Sequence, residues 1–402
     1  MSSPRTAMRL RTSAGVASVA AATMMLAGCS GDGAASEAAS SAAAASAAES
    51  AELSVEQQAQ AGEPGPYAVG RRTITVTDDA RAGRSFPVDV WYPVDPAATG
   101  GAQPADYAFL PGLGYTSDVS LADAPAADGE FPLVVYSHGG GGFRWVATFF
   151  TEFMASKGYV VVAPDHPGST ALDQLSGAGV DEEVNANSRP PDISTTIDAV
   201  LAADADPQDP LTGIVDEGNI ALTGHSWGGY TSLASISGHT NTVGTTTPDP
   251  RIKALVLMAP YTEMLSEDEL AKVDVPVMVV SSTGDTTTPI SSNTEPVADL
   301  VPGRPLLRLD IDGGTHNSFT DVCTLRDKVS ANPNVPAAVT AELDRGAQEA
   351  CAPGVLNAQV IHQITNSYAA AFVATELEAS EDYTDMLACV APPKEATCAV
   401  LP

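Results

Sequence analysis

Two glycine-rich turns, one aspartate and one late histidine hold the residue types from which a covalent hydrolytic site is built. The hexapeptide Gly224-His225-Ser226-Trp227-Gly228-Gly229 follows an apolar run, Asn219 to Thr223, and precedes a segment that reads as helix, Tyr230 to Ser237. A serine on a sharp strand-to-helix turn presents its hydroxyl above the strand end, and side chains two positions away would collide there. Gly224 and Gly228 remove those side chains, which makes Ser226 a candidate nucleophile. The second turn, Ser137-His138-Gly139-Gly140-Gly141-Gly142-Phe143-Arg144, lets backbone N–H groups approach a substrate oxygen. No lysine or GK[ST] follows it, so a phosphate cradle is a poor reading. The N–H groups of Gly140 and Trp227 are the expected donors to an oxyanion, each typically worth about 2.7–4 kcal/mol in such sites.

A serine needs a base, and the chain has six histidines. His138 and His225 lie inside the turns and are expected to buttress them. His166 follows a strand end in Asp165-His166-Pro167 and is expected to line the cleft. His239 and His362 have no motif around them. His316 sits in Gly313-Gly314-Thr315-His316-Asn317, after the last expected parallel strand. The order serine, acid, histidine then calls for an acid between Ser226 and His316. Asp285, in the turn ending the run Val277 to Ser282, satisfies that order. Its rivals Asp310 and Asp312 lie on or beside the strand feeding the histidine loop.

The elements that must position these residues are read from apolar periodicity. Thr73–Thr77 and Phe86–Tyr92 alternate like an antiparallel pair. Phe131–Tyr136, Tyr159–Ala163, Ile220–Thr223, Ala254–Ala259, Val275–Ser281 and Pro305–Ile311 are short apolar runs, as expected of parallel strands covered on both faces. Helical stretches are expected at Arg144–Lys157, Ile193–Ala203, Trp227–Ser237, Glu263–Lys272 and Leu356–Leu377. Strand alternating with helix predicts an α/β doubly wound, mostly parallel sheet of about eight strands. Ligands then bind beyond the strands' carboxyl ends, where the motifs fall. Residues 165–192 are expected to be either a lid or rim over the cleft or a surface loop.

The remaining composition bounds location and partners. Arg5, Arg9 and Arg11 precede an apolar run, Ala14 to Ala27, and then Leu26-Ala27-Gly28-Cys29. This is the pattern of a lipoprotein signal at 1–28, cleaved so that Cys29 takes a lipid. Residues 29–62, rich in Ala, Ser and Glu, read as a tether, and 63–402 as the catalytic domain with an extension at 320–402. The protein is thus expected to be exported and to meet the membrane only through its lipid. A net charge of −31 argues against nucleic acid and favours a neutral or cationic substrate over a polyanionic one, and the few charged residues near the motifs fit a small neutral or apolar substrate. Cys323, Cys351, Cys389 and Cys398 allow three pairings; Cys323–Cys351 and Cys389–Cys398 close the local loops. No HExxH, CxxC or zinc-like spacing is present, and no cofactor is expected.

The glycine turn at 137–144, Asp165-His166-Pro167-Gly168-Ser169, the Ser226 hexapeptide and Gly313-Gly314-Thr315-His316-Asn317-Ser318-Phe319 resemble the platelet-activating-factor acetylhydrolase-like branch of the α/β-hydrolases, related to dienelactone hydrolases. Cutinase-type polyester hydrolases are similar around Ser226, Met258-Ala259-Pro260-Tyr261, Asp285 and His316. The resemblance implies an ester hydrolase with Ser226, Asp285 and His316 as its triad and Tyr261 lining the acyl or aromatic subsite. Relatives commonly carry a larger residue where Gly140 stands, which implies a missing pocket wall. Amidase, acyltransferase and non-catalytic binding lipoprotein are the alternative expectations on the same scaffold.

Overall fold

The computed structural model describes residues 32–110, 113–330 and 335–402. The expected signal segment and Cys29 lie outside the described residues. The compact body comprises Ala48–Pro402, and what precedes it forms a separate unit. Residues from Asp32 to Gly62 form helix α1, in keeping with the high helix propensity of alanine. Within the body its last turns are anchored: Ser54 and Ala61 are fully buried, and Gln58 Nε2 donates to the Ala391 carbonyl at 2.6 Å.

The chain then enters β1 (Ala68–Asp78) and β2 (Arg84–Val94), an antiparallel pair. A hairpin follows, β3 (Gln103–Leu110) and β4 (Leu113–Ala122). Next come β5 (Phe131–Ser137), α2 (Thr148–Ser156), β6 (Val160–Pro164), α3 (Ala171–Ser176), α4 (Glu182–Ala205), β7 (Val215–His225) and α5 (Trp227–Ser237). A small hairpin, β8 (His239–Thr240) and β9 (Thr245–Thr246), precedes β10 (Ile252–Met258), α6 (Glu267–Leu270), β11 (Val277–Ser282), α7 (Ile290–Leu300) and β12 (Leu306–Ile311). The chain ends with α8 (Val322–Ser330), α9 (Ala337–Ala350), α10 (Ala358–Glu378), α11 (Thr384–Leu387) and β13 (Ala396–Leu401).

One sheet runs in the order β13-β12-β11-β10-β7-β5-β6-β2-β1-β4-β3. Its centre, β6 to β12, is parallel, and β2 and β13 flank it antiparallel. The sheet thus has eleven strands rather than about eight. The extra three, β3, β4 and β13, extend the two edges, where strands need not be continuously apolar. By contrast, β5, β6 and β11 are buried at every position. One face carries Tyr136, Val161 and Met278 against Phe150 of α2 and Tyr368 and Phe372 of α10. The other carries Val135, Leu222 and Val279 against Ile193 and Ile197 of α4 and Leu233 of α5. Burying each such side chain contributes about 1.5–3 kcal/mol, which fixes the strand ends that bear the motifs.

α4 starts at Glu182, well before the expected Ile193, and runs through Pro190 and Pro191. Tertiary contact overrides the local breakers here. Arg189 of this helix is fully buried and donates to the His138 carbonyl at 2.8 Å.

Candidate active site

Ser226 terminates β7 with φ 56° and ψ −117°, a positive-φ backbone that a non-glycine residue adopts only under constraint. The constraint is visible on both sides. A Cβ on Gly224 would run into the Gly228 backbone, and one on Gly228 into the Ser137 carbonyl. The Ser226 N–H donates to Met258 O at 3.0 Å, and its carbonyl accepts from Gly229, Tyr230 and Tyr261 N–H. Turn, helix and β10 are thereby locked together, with the residue 7 % exposed.

Asp285 and His316 meet from the ends of β11 and β12. His316 Nδ1 lies 2.8 Å from Asp285 Oδ2. Burial alone would raise the Asp285 pKa. Hydrogen bonds and charge from His316, with the Thr288 N–H and hydroxyl, outweigh it and hold the carboxyl below its ordinary value. An ionised Asp285 accepts the Nδ1 proton, leaving Nε2 as the basic nitrogen. Thr288 completes the arrangement: its Oγ1 is 2.8 Å from Asp285 Oδ2 and 3.0 Å from His316 Nδ1. The sequence reading did not single it out, although it lies three residues beyond the acid in the same turn. The rival Asp310 is paired with Arg308 at 2.7 Å.

Ser226 and His316 line one cavity of about 730 Å³, together with Gly140, Trp227 and Tyr261. No hydrogen bond joins the Ser226 hydroxyl to His316 among the described residues; in substrate-free sites such contacts are often long and tighten on binding. Gly141 N–H is spent on Ser169 O and Gly142 N–H on Gly139 O. Gly140 and Trp227 line the cavity, and neither N–H has a protein acceptor among the described residues. A Cβ at Gly140 would stand 2.9 Å from the Trp227 indole Cδ1, so the indole packs close over the glycine. Tyr261 packs on the same indole, with ring centroids 5.0 Å apart.

The buttressing expected of His138 and His225 is present. His225 Nε2 lies 3.0 Å from His316 O, and His138 Nδ1 lies 2.7 Å from Gly139 O. His166, by contrast, does not line the cleft. It is fully buried, with Nε2 3.0 Å from Ser137 Oγ and Nδ1 3.0 Å from Asp192 Oδ2. Its ring turns into the protein because the buried Asp192 of α4, itself held by Arg84, offers it a partner there.

Residues 165–192 form a rim: α3 places Leu172, Gln174 and Leu175 on the cavity. The opposite wall comes from the extension after His316. α8 and α9 supply Val322, Leu325, Val339 and Leu343, none of which carried a recognisable motif. Both expected disulfides, Cys323–Cys351 and Cys389–Cys398, are formed, and the first ties α8 to the residue after α9. Among the described residues no group of acidic, histidine and cysteine side chains could hold a metal, and no helix is long and apolar enough to cross a membrane.

A solved ferulic acid esterase from Streptomyces cinnamoneus superposes with a TM-score of 0.58 at 22% sequence identity, over 79% of this chain and 95% of that one. This chain has the α/β-hydrolase fold. A family model described as PETase, PET hydrolase-like, matches residues 144–330 of this chain. Among curated relatives, a bis(hydroxyethyl) terephthalate hydrolase of Streptomyces coelicolor is 25% identical over 193 residues, 48% of this chain and 52% of that protein. Cutinase est1 of Thermobifida alba is 26% identical over 193 residues, 48% and 55% of the two chains. A platelet-activating factor acetylhydrolase of Cavia porcellus is 22% identical over 242 residues, 52% of each. The chain therefore spans about half the length of the curated relatives it matches. Relatives of both expected kinds, acetylhydrolase and cutinase, are present.

Proposed function

We propose that this chain is an exported, lipid-anchored serine hydrolase that cleaves carboxylic esters through an acyl-enzyme on Ser226. The observation that carries the reading is the strained Ser226 turn opening onto the same cavity as the Asp285–His316 pair. His316 Nε2 takes the serine proton as Oγ attacks the ester carbonyl, and Asp285 stabilises the imidazolium so formed. The oxyanion is received by the N–H groups of Gly140 and Trp227. Collapse of the tetrahedral intermediate passes the proton from His316 to the leaving alcohol, and water then repeats the cycle on the acyl-serine. The names of the matched relatives, all of them ester hydrolases, support ester over amide cleavage. Trp227 and Tyr261 give the cavity an aromatic wall suited to apolar or aromatic esters, the class to which the terephthalate and cutinase relatives point.

Turnover of p-nitrophenyl acetate and butyrate by wild type and Ser226→Ala tests the chemistry. The variant is expected to lose at least about a thousandfold in kcat, and equal rates in the two proteins would remove the proposal. Labelling of Ser226 by a fluorophosphonate probe separates a catalytic protein from a binding module on the same fold. Two disulfides support an oxidising destination. The anchor is tested by metabolic labelling with a radioactive fatty acid: Cys29→Ala is expected to abolish incorporation.

A further inference from the structure

We infer that α8 and α9 build an apolar subsite for the alcohol half of the ester, so that the preferred substrates carry a bulky apolar leaving group. This rests on the esterase reading given above. In that reaction the imidazolium must hand its proton to the departing alkoxide, so the alcohol oxygen faces His316 Nε2. What lies beyond that nitrogen is set by the chain that follows it. Asn317, Thr320 and Val322 continue from His316 along the cavity, and Leu325 of α8 joins Val339 and Leu343 of α9 in its wall, which Arg345 and Glu349 of α9 also line. Phe109, Phe143 and Val146 close the chamber from the glycine-turn side, with Phe109 and Phe143 ring centroids 4.6 Å apart. Leu325 and Leu343 are 1 % and 7 % exposed, so the surface they offer faces a recess rather than bulk solvent.

The wall is fixed relative to the histidine. Asn317, its neighbour, donates from Nδ2 to Glu349 Oε2 of α9 at 2.5 Å and from its N–H to Oε1 at 3.4 Å. Two polar groups that line the chamber thereby satisfy each other. Gly346 lets α9 approach α8, since a Cβ there would come within 2.9 Å of Val322 Cγ2. Cys323–Cys351 ties the start of α8 to the residue after α9. The PET hydrolase-like match stops at residue 330, so α9 lies outside the stretch shared with that family.

The test uses two ester series on the full-length protein. One holds the acyl group as acetate and lengthens the alcohol from ethanol through butanol to octanol. The other holds p-nitrophenol and lengthens the acyl chain from acetate to octanoate. In wild type, kcat/KM is expected to rise about tenfold or more from ethyl to octyl acetate, given the apolar area a chain of that length removes from water. Leu343→Trp, which fills the chamber, is expected to bring the octyl-to-ethyl ratio close to one while leaving the octanoate-to-acetate ratio near the wild-type value. Should that variant fail to fold, Leu343→Ala carries the test: enlarging the chamber is expected to raise the ratio of branched 2-ethylhexyl acetate to octyl acetate. A flat alcohol profile in wild type, or a substitution that alters the acyl series instead, overturns the assignment. Absence of any Ser226-dependent turnover in either series overturns the esterase reading, and this inference with it.

Discussion

His225 Nε2 donates to the carbonyl oxygen of His316 across 3.0 Å, with the two rings 4.5 Å apart. Burial first, and then the positive charge His316 can carry, lower the His225 pKa to about 3. It therefore stays neutral beside the proposed base and serves as a fixed donor. His225→Phe leaves the His316 carbonyl without its partner, an expected loss of about 1–3 kcal/mol of stability. As a positioning change it should lower kcat more than it alters KM, and His225→Gln should restore part of both. Thermal unfolding with p-nitrophenyl butyrate kinetics reads the two effects.

Thr288 ties acid and histidine together through one hydroxyl. Thr288→Val keeps the shape and removes that hydroxyl from an ionised carboxylate. Hydrogen bonds to charged groups are worth about 1.5–3 kcal/mol, so kcat is expected to fall roughly ten- to hundredfold. Thr288→Ser should recover most of the activity. Equal kinetics for wild type and the Thr288→Val variant would show that the hydroxyl does not matter.

Acid should destabilise this protein as pH falls below the ordinary histidine value. Burial lowers His166 and His362 to about 4 and His225 to about 3. The unfolded chain takes up those protons near the ordinary histidine value of about 6.5, whereas the folded state refuses them. Their contribution is therefore fully present above about pH 6.5 and is lost as pH falls through the folded values. Asp321 acts the other way: burial raises it to about 6, so the folded state gains a proton first. His138, also lowered by burial, joins the three, while burial raises Asp165 and Glu376 as it does Asp321. Four histidines against three carboxylates leave a net loss of stability, on the order of 1 kcal/mol per pH unit for each uncompensated histidine. Urea midpoints between about pH 7 and about pH 4.5 measure it, and a flat profile would contradict the sign.

Reduction should reach activity before it reaches the fold. Cys323–Cys351 spans 28 residues and braces the helices that border His316. Both cysteines pack against the edge of one core, whereas the core on the other face of the sheet contains neither. Cys323→Ser with Cys351→Ser is expected to lose about 3–4 kcal/mol by the loop-entropy argument, with a larger relative loss of activity. Activity indifferent to reductant while circular dichroism stays native would count against the bracing role.

The parallel strands were legible because burial on both faces forces unbroken apolar runs, and the Ser226 turn because its glycines answer a steric demand. Asp285 and His316 followed from chain order and strand ends. The edge strands were not legible. β3 contains Pro104, and β4 is rich in polar residues, as an edge permits. The direction of the His166 ring was equally hidden, since a strand-end position does not say whether a side chain meets substrate or a buried aspartate on a later helix. α8 and α9 carry ordinary amphipathic patterns, and only their placement beside His316 gives them a role.

That placement divides the chain's labour. In the proposed mechanism bond making falls to strand ends between residues 137 and 316, whereas another wall of the chamber is held by a later, disulfide-framed segment. A graft exchanging residues 337–344 with a counterpart from another hydrolase, sparing Gly346 and Glu349, would then retune which molecules are admitted without rebuilding the reacting centre, offering protein engineers a handle on selectivity that stands apart from the proposed catalytic machinery.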